Sequence, residues 1–185
     1  MSGFEIVGTS IAITRHLQSY LQKRSPFSYP AEGDFIQADG CLVELNTQLA
    51  LIHNVILITL AEVIDEDDLV ELLRDLNGKT WKSPLIKSKA KGALGDLYQP
   101  FWTQSLQLRV CLNGLCEIFD LRVPSPAEGL ENPPSPLADH PHTQKREYST
   151  PEIANISAAL KEINGQLRQI AGSFHIKPEG SKGLE

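Results

Sequence analysis

The sequence predicts an α+β protein: a small domain of helices with one β-hairpin, a proline-rich spacer, and a C-terminal amphipathic helix with a heptad repeat. Three observations carry this. Leu106, Leu108, Val110 and Leu112 alternate with other residues ahead of Asn113-Gly114, a strong short-range hairpin signal. Six of the twelve prolines fall between Pro124 and Pro141. Ile153, Ile156, Leu160, Ile163, Leu167 and Ile170 are spaced 3, 4, 3, 4, 3. The predicted organisation is a globular domain over 1–123, a linker over 124–149, an oligomerisation or docking helix over 150–172 and a flexible tail over 173–185.

From the N-terminus, Ile13, Leu17, Tyr20 and Leu21 recur at helical spacing. Residues 9–23 therefore read as a helix capped by Thr9 or Ser10 and closed by Ser25-Pro26. Residues 30–40 read as a loop with a short extended piece at Phe35-Ile36. The run from 41 to 64 has two readings. A buried helix would align Leu45, Leu49, Ile52, Ile56, Leu60 and Val63 on one face. Two strands turning at His53-Asn54 would use the β-branched residues that follow. Length tips the balance toward the helix. The most apolar stretch, 49–64, contains His53, Asn54 and Glu62 and falls short of the ~20 apolar residues of a bilayer span.

Asp65 to Leu76 is a predicted helix with Leu69, Leu72, Leu73 and Leu76 as its stripe. Asp65 caps it, acids fill the first turn where the macrodipole favours them, and Asn77-Gly78 closes it. Lys79 to Lys91 reads as a surface loop. The hairpin then sets its own register: Leu112 faces Leu115, Val110 faces Glu117, Leu108 faces Phe119 and Leu106 faces Leu121. The prolines beyond fix φ and remove donors, which suits an extended spacer. Ser149 and Glu152 form a capping box for the last helix, with Pro151 near its first turn.

That helix decides the functional expectation. Leu at a with Ile at d favours three or four strands over two. The flanking Ser157, Ala159, Asn164, Gln166 and Ala171 carry no charge and admit close packing of further helices. A lone helix of about twenty residues is marginal in water. Its stripe must be covered by copies of itself, by its own domain or by another protein.

The composition is 41% hydrophobic and 22% charged over 185 residues, which excludes wholesale disorder and a disulfide-packed miniprotein. A net charge of −6 argues against general nucleic-acid binding. No signal-like stretch opens the chain, Ser2 removes N-myristoylation, and three cysteines suit a reducing compartment, so the expected location is cytoplasmic.

The search for chemistry assigns no catalytic, cofactor or metal residues. Cys111 and Cys116 flank the predicted turn and would be opposed at a Cα separation of ~4.5 Å, a redox pair or half of a metal site. Cys41 offers a third thiol, but zinc needs four ligands. Asn77-Gly78-Lys79-Thr80 lacks the glycine a P-loop needs, since Leu73 stands there. Val70 occupies the glycine position that an EF-hand reading of Asp65–Asp68 requires. His16, His53, His140, His142 and His175 form no metalloprotease pair. Lys79, Lys82, Lys87, Lys89 and Lys91 with Trp81 form an anion or partner contact for which nucleic acid is disfavoured.

The expectation is a non-catalytic assembly or adaptor protein, a repeated subunit of a larger complex. Its last helix would self-associate as a trimer or tetramer or dock on a partner. The alternatives are a small enzyme with its site in the N-terminal domain, a thiol-based redox or metal-responsive regulator, and a lysine-loop nucleic-acid binder.

Overall fold

Helical periodicity prevails over the β-signals wherever the two compete. The computed structural model describes residues 3–24, 35–76, 78–122 and 150–174. Its helices are α1 (Gly3–Arg24), α2 (Phe35–Val63), α3 (Glu66–Arg74), α4 (Pro84–Leu94), α5 (Tyr98–Ile118) and α6 (Thr150–Phe174). Short 3-10 turns lie at Lys79–Lys82 and Gly95–Leu97. Among the described residues there is no strand, so the fold is all-α and the α+β expectation is overturned.

The four long helices form a bundle in the ring order α1, α2, α6, α5, each packed on its two neighbours. Arg15 of α1 meets His53 of α2, while the start of α1 lies against Trp81, beyond the end of α2, so this pair is antiparallel. Gln104 meets Gln166 and Gly114 lies under Ile156, so α5 and α6 are antiparallel too. The Tyr20 and Phe119 rings, 5.4 Å apart, join the C-terminal ends of α1 and α5, which run parallel. That leaves α2 and α6 parallel, joined at Gln48 and Asn164. The short helices α3 and α4 close the end of the bundle where α1 begins.

The predicted hairpin is the helix α5. Phe101, Leu108, Leu112, Leu115 and Phe119 are all buried, at spacings of 7, 4, 3 and 4, and face the core. Leu106 and Val110, the other members of the alternating set, are 39% and 71% exposed. Both periods fit the same leucines, and tertiary burial selects the helical one. Asn113 accepts a hydrogen bond from Arg109 Nε at 3.2 Å one turn back, so Asn-Gly makes no turn here. The helix stops later, at Asp120 with φ +53°, where the Leu121 N–H bonds the Cys116 carbonyl at 2.8 Å in a Schellman-type ending.

Gly114 therefore sits inside a helix, where glycine costs about 1 kcal/mol relative to alanine. A Cβ there would lie 3.5 Å from Ile156 Cδ1, an ordinary contact. Gly114→Ala should raise the unfolding free energy by roughly 0.5–1 kcal/mol in urea melts. A loss of stability would contradict the helical assignment of this segment.

Elsewhere the boundaries shift. The start of α1 precedes Thr9 and Ser10, which lie inside the helix, and Thr9 Oγ1 donates to the Glu5 carbonyl one turn back at 2.9 Å instead of capping. The run 41–63 lies in one helix, α2, and Ile64 follows its end; Leu45, Leu49, Ile52, Ile56, Leu60 and Val63 are all buried. The predicted lysine loop is a 3-10 turn followed by α4. Pro84 occupies its first turn, Ile86, Ala90 and Leu94 face inward every fourth residue, and Gly95 ends it at φ +54°. The predicted linker, the tail beyond Phe174, and His140, His142 and His175 lie outside the described residues.

Candidate functional site

The heptad seam of α6 is where the sequence places the interaction surface, and the structure puts it indoors. Ile153, Leu160, Ile163, Leu167 and Ile170 are at most 6% exposed, and Ile156 is half-buried. They share one core with α1, α2 and α5. Ser157, Asn164 and Ala171 are also buried, and this stripe seats α6 on α2, its most extensive neighbour. The seam is thus satisfied by its own chain. The trimer or tetramer preference, which rested on it, goes with it.

Buried polar groups mark the same interfaces. Asn164 Nδ2 donates to Gln48 Oε1 at 3.2 Å, and Gln48 Nε2 donates to Glu44 Oε1 at 2.8 Å. Gln104 Nε2 donates to Gln166 Oε1 across α5 and α6. A polar link of this kind pins helix register, because sliding would strand buried carboxamides.

What remains uncovered is the outer side of α2. Its stretch Gly40–Val63 is long and apolar enough to cross a membrane by length and composition, yet only 33% of its most apolar window is buried. A globular helix of this composition is normally covered on all sides. The covered side is the leucine and isoleucine face. On the opposite side Val43, Thr47, Ala50, Asn54, Leu57 and Ala61 follow one another at steps of 4, 3, 4, 3 and 4, all exposed or half-exposed. Val43 is 64% exposed and the neighbouring Ile58 is 49% exposed. Thr47 Oγ1 donates to the Val43 carbonyl at 2.9 Å, so its hydroxyl is spent within the helix. The sequence reading missed this stripe because its period is carried by Thr, Ala and Asn beside only two strongly apolar residues.

One rim of the stripe is set by α1. Arg15 Nε donates to His53 Nε2 at 3.2 Å, which requires the neutral imidazole as acceptor. Burial, and then the Arg15 charge, hold the His53 pKa below its ordinary 6.5. The unfolded chain therefore takes up its proton first as pH falls. The stability that His53 contributes is intact above pH 6.5 and is lost as pH drops through its lower folded-state value. Unfolding free energies measured against pH should decline less below that point in His53→Gln than in the natural chain. Identical slopes would mean that the imidazole is solvated.

The other predicted residues are dispersed. Cys111 and Cys116 are free and lie five positions apart on one helix, about 140° around it, so the opposed pair disappears with the hairpin. Burial raises both thiol pKa values, and Arg109 only partly offsets this at Cys116. Trp81 is 1% exposed and its Nε1–H donates to the Leu72 carbonyl at 2.9 Å, so no base or ligand can stack on it. Lys89 bonds Asp65 at 2.7 Å and Asp68 at 2.6 Å, which holds its pKa above the ordinary value. Asp65 stands at the N-cap of α3 but spends its carboxylate on that lysine. Lys79, Lys82 and Lys91 are exposed and Lys87 is half-buried.

Among the described residues, no group of three or more His, Cys, Asp or Glu is placed to hold a metal ion. A shallow groove of about 460 Å³ between the start of α5 and the end of α6 presents Gln104, Gln166, Gln169 and Ser173 over an apolar floor. Its lining offers carboxamides and a hydroxyl and no titratable group. No protein-family model, curated protein or solved structure matches the chain.

Proposed function

We propose that this is a non-catalytic assembly protein whose working surface is the outer side of α2. One observation carries the reading: the one helix among the described residues that is apolar enough to cross a membrane has a single side covered, and its outer side leaves Val43 and Ile58 exposed along an uncharged stripe. Leaving such a stripe in water forgoes burial worth ~25 cal/mol per Å² of apolar area, and exposed contiguous stripes mark contact sites in soluble proteins. The bundle holds α2 through its shared core and the Gln48–Asn164 link, so the stripe is presented on a packed helix and preorganised.

A photo-crosslinking amino acid at position 58 of the full chain, activated in intact cells, tests this. Discrete protein adducts are expected, and Val43→Asp in the same chain should deplete them. Position 107, exposed on α5, serves as the control. No adduct from position 58, or the same adducts from both positions, would overturn the reading.

A further inference from the structure

We infer that the occupant of the outer α2 face is a second copy of this chain, with the two α2 helices parallel and in register about a two-fold axis. The inference rests on the reading above, that this face makes protein contacts. The first argument is the repeat. With Val43, Ala50 and Leu57 at d, the a positions are Thr47, Asn54 and Ala61. A single asparagine at an a position is the device by which paired helices fix register and strand number. Against a foreign apolar helix its carboxamide would be desolvated without a partner. Across a two-fold axis it meets an identical carboxamide, which offers a donor for its acceptor and an acceptor for its donor.

The second argument is charge. In a two-fold interface every residue near the axis faces its own image, so a charged stripe would repel itself. None of the six stripe residues is charged, and the exposed charges beside it, Glu44, Glu62 and Arg15, lie on its rims away from the midline.

The third argument is size. The stripe from Val43 to Ala61 is ~28 Å long at ~1.5 Å per residue. With neighbouring axes ~9 Å away, a patch covering α2 and the near flanks of α1 and α6 spans on the order of 600 Å² in projection. Counted on both partners that is ~1,200 Å², the lower end of the range for specific pairs. A bilayer fits worse, because Asn54 and the Arg15 bonded at the rim would have to enter hydrocarbon.

Light scattering on the purified full chain across micromolar concentrations should give twice 20.4 kDa. Asn54→Lys places like charges across the axis and should weaken the dimer ~100-fold or more. Position 54 is exposed, so circular dichroism should stay unchanged, and unfolding should match the natural chain only at concentrations too low for either to pair. Ala61→Cys should form an interchain disulfide under mild oxidation, since in-register parallel helices bring each position 61 to its image. Single-chain mass at every concentration, a dimer indifferent to Asn54→Lys, or no disulfide from Ala61→Cys would overturn the inference. A monomeric chain that still yields adducts from position 58 with another protein would sink the second copy and spare the protein-contact reading. Co-sedimentation with phosphatidylcholine vesicles without any protein adduct would sink both.

Discussion

Ending the chain at residue 148 is expected to destroy cooperative folding. The deletion removes α6 and with it five seam side chains at most 6% exposed. Each contributes ~1.5–3 kcal/mol by burial, and the inner faces of α2 and α5 would be bared as well. The five side chains alone match the ~5–15 kcal/mol by which a domain of this size is stable, and the bared faces add to the loss. Thermal scans of the shortened chain should lose the sharp transition and the chain should bind hydrophobic dyes. A sharp transition at the natural temperature would mean that α6 is an accessory. Leu160→Ala in the full chain offers a graded version, with an expected loss of ~2–5 kcal/mol.

Trp81→Ala is expected to cost about 3–5 kcal/mol in urea unfolding. The indole is 1% exposed, its ring centre lies 5.3 Å from that of Phe4, and its N–H satisfies the Leu72 carbonyl. It ties the start of α1 to the segment after α3. Gly8 is part of the same contact, because a Cβ there would fall 2.6 Å from the indole and 2.7 Å from the Leu76 carbonyl oxygen. Gly8→Ala should therefore destabilise by ~1–3 kcal/mol despite the better helix propensity of alanine. A stabilising Gly8→Ala would show that α1 does not approach the turn so closely.

These two results separate what was readable in the residues from what was not. The spacing predicts the last helix at 150–172 and it runs Thr150–Phe174, because its repeat is strong and its start carries local capping signals. What covers its seam was not readable, because heptad spacing is the same whether the holes belong to a copy, a partner or the same chain. Trp81 reads locally as a surface aromatic among lysines. Its burial depends on the approach of α1, more than seventy residues away, and no local pattern encodes that. The hairpin failed for a different reason: Leu108 and Leu112 belong to both a period-2 and a period-3.6 series, and Asn-Gly tipped the local reading toward a turn. Of the proposed site, only the inner face of α2 was anticipated. Its outer face repeats just as regularly, but in small and polar residues that a search for leucines and isoleucines passes over.

The antiparallel packing of α5 and α6 has a consequence for how the chain is wired. It sets the end of α5 and the beginning of α6 at the same pole of the bundle. Adjacent antiparallel helices are joined elsewhere by as few as 2–8 residues, whereas 31 residues, 119 to 149, separate these two in sequence. Most of that length is surplus to closing the ring, and doubling it would add only ~0.6 kcal/mol of closure entropy. The bundle should therefore accept a folded cargo spliced into that stretch, such as a fluorescent reporter, which makes it a natural place for evolution or an engineer to hang a second activity.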